Sequence, residues 1–234
     1  MESIPAAQAS PTTSTVHLSL PVKLMYTAFM AVLVPYYWHA YGPTNFLYYC
    51  DVALFLGLVT VWTGHPLPAS MAAVGILIPQ ALWVTDFLST LAGFPLVGMT
   101  AYMFDNAISL FVRGLSFFHF WLPFFLLFLL LRVGYDRRAL PAWTLTAWVL
   151  MAVAFFLLPS SVTQVEDPNT PVNVNYVWGP SDQAPQSWVH PWVWLSGMAI
   201  GLPLLVYAPT HFALQSFFNK TKSIQLVERS SENQ

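Results

Sequence analysis

Charge is what this sequence has least of. Eight Lys or Arg and ten Asp or Glu are spread over 234 residues, 8% of the chain, where a soluble domain carries about 25%. So few charged side chains cannot cover a water-facing surface, and the net charge of −2 offers nothing to a nucleic-acid partner. Cysteine is nearly absent too. The single residue Cys50 excludes an intramolecular disulfide. HExxH, GxSxG, a glycine-rich phosphate loop, zinc-ligand spacings and the His boxes of membrane desaturases are all missing, so neither a metal nor a cofactor is implied. The opening stretch MESIPAAQASPTTSTVHLSL has no Lys or Arg. It lacks the basic start of a signal peptide, and residues 1–18 read as a disordered Ser/Thr/Pro-rich tail.

What is there is apolar: 56% of the chain is hydrophobic, and aromatic residues make up 16% of the chain. A helix needs roughly 20 mainly apolar residues to cross a bilayer core, and six segments qualify, at 20–38, 45–63, 69–92, 115–132, 141–159 and 190–208. The expected fold is all-α, a polytopic bundle of six transmembrane helices over residues 19–218, with a cytoplasmic tail at 219–234. Lys and Arg gather on the cytoplasmic side of membrane proteins. Arg132, Arg137 and Arg138 lie around the loop after the fourth span, and Lys220, Lys222 and Arg229 follow the sixth, whereas the loop at 160–189 has neither residue type. Both termini are therefore expected in the cytoplasm and the 160–189 loop outside. A cell membrane is the expected location, most naturally a bacterial inner membrane, with membrane lipids as the partners.

In that orientation, ionisable residues collect in the outer half. At about 1.5 Å per residue, Asp51 and Asp86 lie at similar depths on the second and third spans, and His119 lies near the outer end of the fourth. An Asp at mid-helix costs ~2.5–3.5 kcal/mol on insertion scales, so an intramembrane carboxylate points by default to function. The bland alternative is a plain interhelical hydrogen bond, worth ~0.6 kcal/mol on average. Matched depth on three helices favours one shared cavity, with Asp51, Asp86 and His119 facing one another. His39, Tyr41, Asn45 and Arg113 border it as candidate substrate contacts, and Arg113 or His39 would offset negative charge.

Pro123 removes the hydrogen bond to the carbonyl of His119, which predicts a kink beside that imidazole. Pro79 does the same to Gly75. VNVNYVW (172–178) alternates like a strand between turn signals, which predicts a short hairpin over the cavity mouth. HFALQSFFNKTK (211–222) reads as an interfacial amphipathic helix.

The chemistry these residues permit is nucleophilic. His119 could activate Cys50, with Asp51 or Asp86 orienting the imidazole. LYYCDVALFLGL (47–58), followed by HFWLPFFLLFLL (119–130), resembles the pattern of six-helix membrane lipid enzymes, the androgen-induced-protein hydrolases and related transmembrane acyltransferases. The resemblance implies Cys50 as nucleophile and His119 as base. Tyr48 and Tyr49 stand where it leads one to expect a His. The chain also resembles bacterial inner-membrane proteins known only as membrane-associated, which implies no chemistry. Three readings follow: a lipid or acyl hydrolase or acyltransferase, a small carrier or proton-coupled permease working through Asp51 and Asp86, and a non-catalytic accessory protein.

Overall fold

A computed structural model describes the backbone of residues 18–232 and the side chains of residues 18–220. The predicted tail lies outside the described residues up to residue 17, and Leu18 is already buried. The chain runs α1 (Leu20–Tyr41), α2 (Tyr49–Thr63), α3 (Pro66–Leu91), α4 (Leu110–Ser116), α5 (Phe118–Val133), α6 (Ala139–Leu157), α7 (Pro191–Leu202) and α8 (Ala208–Glu232), with no strand among the described residues. Five segments are long and apolar enough to cross a membrane: α1, α3, α4 with α5, α6, and α7 with the start of α8. Helix α2 is also apolar but has only 15 residues. At 1.5 Å per residue it spans about 22 Å, short of a ~30 Å hydrocarbon core.

Helix α3 is the centre of the bundle and packs on α2, α5, α6 and α8. Its Ala69, Ser70, Ala72, Ala73 and Gly75 are all buried, and small residues let neighbouring backbones approach closely in a membrane bundle. Gly75 shows the requirement directly, because a Cβ there would overlap the indole of Trp143 on α6. Helix α1 buries a stripe of Tyr26, Met30, Leu33 and Tyr37, spaced for one helical face. The Tyr26 hydroxyl donates to the Leu54 carbonyl at 3.0 Å, and its ring stacks on Phe125 at 4.8 Å. Helix α5 answers with Phe118, Leu122, Leu126, Leu129 and Leu130.

Three local expectations change. The fourth span breaks at Phe117, between α4 and α5, rather than at Pro123, which sits inside α5. VNVNYVW is not a hairpin. Asn173, Asn175 and Tyr176 have φ of 47°, 59° and 60°, a left-handed backbone that no strand contains and that Asn tolerates best. Valines and asparagines there are buried alike: Asn173 is 1% exposed and Val174 0%. The Asn173 side chain donates to the carbonyls of Gly179 and Ser181 and accepts from Trp178 N–H, folding the loop on itself. Finally, residues 211–222 belong to the continuous helix α8, joined to α7 through a π-helical stretch at Pro203–Tyr207. Pro203 lacks an N–H, and a π turn is one way a helix absorbs such an interruption.

Candidate functional site

The loops at 92–109 and 158–190 lie at one end of the bundle, and a cavity of about 880 Å³ opens beneath them. Helix α1 contributes Tyr37 and Tyr41, α3 contributes Gly75, Gln80 and Trp83, and α7 contributes Met198 and Leu202. Tyr102, Asn169 and Tyr176 come from the loops. Burial pushes the hydroxyls of Tyr102 and Tyr176 above their ordinary range, so both stay protonated donors at neutral pH.

Helix α2 begins at this wall. Tyr48 caps it, so Cys50 and Asp51 fall in its first turn. The first N–H groups of a helix have no intrahelical partner, and the ladder of α2 starts with Val52 N–H to the Tyr48 carbonyl. Tyr49 N–H is taken by the Asn175 side chain at 3.0 Å. The N–H groups of Cys50 and Asp51 lie beside the Cys50 sulfur, within reach to bond it. The amide of Asn175 also donates to the Leu47 carbonyl at 2.9 Å. The 160–189 loop thus holds the start of α2 through the Asn175 side chain on a left-handed backbone, and the Val172 carbonyl adds a contact by accepting from the Tyr48 hydroxyl at 3.4 Å.

Cys50 and Asp51 both line the cavity. The thiol lies 3.8 Å from Asp51 Oδ2. Asp51 is 3% exposed, and its Oδ1 has no donor among the described residues. His119 lines the same cavity and stacks on Trp83 at 5.4 Å. Its Nδ1 lies 2.8 Å from the Ser116 carbonyl, which the break at Phe117 makes available. A carbonyl only accepts, so Nδ1 carries a proton, and in the neutral ring Nε2 keeps a lone pair.

The other candidates are distributed unequally. Tyr41 and Asn45 line the cavity with Cys50, Asp51 and His119. Asp86 does not face them. Its carboxylate accepts from Val97 N–H at 2.7 Å, Gly98 N–H at 3.0 Å, and Thr100 through N–H at 2.9 Å and hydroxyl at 2.8 Å. All its strong acceptor positions are spent on closing the loop after α3. Arg113 is not beside Asp51 either: it donates to the Met103 carbonyl at 3.0 Å. His39 is exposed and outside the cavity wall.

Two contributors were not singled out from sequence. Gln80 is 4% exposed, lines the cavity and has an amide oxygen without a donor among the described residues. A lone amide beside Pro79 in an apolar helix was the available signal. Asn175 had a weaker one, the repeated Asn in VNVNY. No family model, curated protein or solved structure matches the chain.

Proposed function

We propose that this is an integral membrane enzyme that draws an acyl lipid into the cavity and transfers or hydrolyses its acyl group. The reading rests on one arrangement: the Cys50 thiol, with the first N–H groups of α2 beside its sulfur, and the His119 lone pair line a single cavity. In the reaction, the thiol proton passes to His119 Nε2 and sulfur attacks the ester carbonyl. The oxyanion is met by the N–H groups of Cys50 and Asp51, reinforced by the partial positive charge of the helix start. Collapse expels the alcohol, which takes the proton back from His119 and leaves a thioester on Cys50. Water or a second alcohol then releases the acyl group and restores the thiol.

The packing below the cavity favours this over a carrier. Leu54, Val61, Leu122, Leu126, Leu129 and Leu130 are fully buried, and transport needs a polar path that such a core does not supply. The orientation goes with the reading. With α2 counted as a crossing, six helices cross, both termini are cytoplasmic, and the cavity and the 160–189 loop face outward. Support comes from Lys23, Arg132, Arg137 and Arg138 standing at or next to helix ends opposite that loop.

The test is incubation of the purified full chain with a long-chain fluorogenic acyl ester. Acyl release and an acyl adduct on Cys50 are expected, and both should disappear in Cys50→Ala. Undiminished release by Cys50→Ala or His119→Ala would sink the mechanism.

A further inference from the structure

We infer that the cavity selects amphiphiles with a cationic, amine-type head and disfavours anionic ones. The inference builds on the reading that the cavity takes up a lipid-like molecule, and it concerns which one.

Three observations carry it. First, the wall has no compensating cation: none of its residues is Lys or Arg, and Asp51 is its sole carboxylate. Arg113 lies outside the wall and donates to the Met103 carbonyl, with its Nε left without a partner among the described residues. Second, the buried side-chain atoms of the wall that lack a partner among the described residues are acceptors. Asp51 Oδ1 and Gln80 Oε1 lack donors among the described residues, and His119 presents a lone pair from a ring held by the Ser116 carbonyl. A buried carboxylate is costly to leave without a partner, and this one has only the weak thiol contact. Third, aromatic rings line the same cavity. Tyr37 and Tyr41 meet edge to face at 5.3 Å, Tyr36 lies 6.4 Å from Tyr37, and Trp83 covers His119. Rings of this kind attract ammonium and quaternary ammonium groups, more strongly where water is excluded.

The start of α2 pulls the other way, but a helix end carries only about half a charge and suits a transient oxyanion. An alkyl phosphate or fatty acid would place a full negative charge beside Asp51 with no guanidinium or ammonium to meet it. A long-chain amine, or the amine end of a zwitterionic lipid, pairs with Asp51 while its chain follows the apolar wall of Ile76, Phe118, Met198 and Leu202.

The experiment measures binding to the full chain in a nonionic detergent, read from intrinsic tryptophan fluorescence. Four probes share one chain length: dodecylamine, dodecylphosphocholine, monododecanoylglycerol and dodecyl phosphate. Dodecylamine should bind at least about tenfold tighter than dodecyl phosphate, and Asp51→Asn should remove that ratio while leaving monododecanoylglycerol binding in place. If dodecylphosphocholine ranks with the amine, the head belongs to a zwitterionic lipid. If it ranks with the phosphate, the site takes simple amines. Equal or tighter binding of dodecyl phosphate overturns the head-group inference and leaves the acyl-enzyme reading intact. Binding of no probe overturns both. Amine preference without ester turnover overturns only the enzyme.

Discussion

Replacing Asp86 should cost folding, whereas replacing Asp51 should cost chiefly function. The Asp86 carboxylate receives three backbone N–H groups and one hydroxyl from residues 97–100, at 2.7–3.0 Å, and the side chain is 0% exposed. In Asp86→Ala the Thr100 hydroxyl can fall back on Thr90, 3.4 Å away. The three N–H groups have no such substitute. A buried unsatisfied donor costs ~1–3 kcal/mol. Taking the low end, because water can enter near the loop, the total is about 3 kcal/mol. For a chain of this size that corresponds to a fall in Tm of roughly 6–12 °C by globular-domain scaling. Asp86→Asn keeps one accepting oxygen and should fall about half as far. Asp51→Asn gives up only the 3.8 Å thiol contact, so its Tm should stay within ~2 °C of wild type. Thermal unfolding of the three variants in one detergent, followed by circular dichroism, checks the set. An Asp86→Ala protein as stable as wild type, or an Asp51→Asn protein as damaged as Asp86→Ala, would refute the division of roles.

Other outcomes follow from the same geometry. Gly75→Ala forces a methyl group into the Trp143 indole and should destabilise by about 1–3 kcal/mol, measurable in the same unfolding assay. Asn175→Gly keeps the left-handed backbone (φ 59°) but loses both ties to the start of α2. It should lower acyl turnover and cost about 2 kcal/mol for the two groups left without a partner, and Asn175→Ala should be worse by roughly a further 1 kcal/mol of backbone strain. Equal behaviour of the two variants would argue against strain at that position. In a Cys50→Ala background, Ser181→Cys should be labelled by a membrane-impermeant thiol reagent on intact cells, and a cysteine at Arg137 should be protected. The reverse pattern would invert the proposed orientation.

The character of the chain was legible in its residues. Scarce charge and long apolar runs leave helices as the way to satisfy backbone polar groups away from water. Span positions followed from counting, although α2 came out shorter than a crossing and the fourth span in two pieces. The Arg/Lys asymmetry, Cys50, Asp51 and His119 could be picked out because each is rare in its surroundings. Partner choice was not legible. Asp51 and Asp86 look equivalent by depth, yet only the path of the loop after α3 assigns Asp86 to Val97, Gly98 and Thr100. VNVNYVW carries a strand's alternation, and what overrides it is the chance for Asn173 and Asn175 to satisfy buried carbonyls and N–H groups from a left-handed backbone. The Asn173 bonds stay within the loop, but those of Asn175 link residues far apart in sequence, to Leu47 and Tyr49. Local pattern reports what a segment favours by itself. Which buried polar atom finds which partner is decided only when distant segments meet, and here that decides which acidic residue closes a loop and which is left facing the cavity.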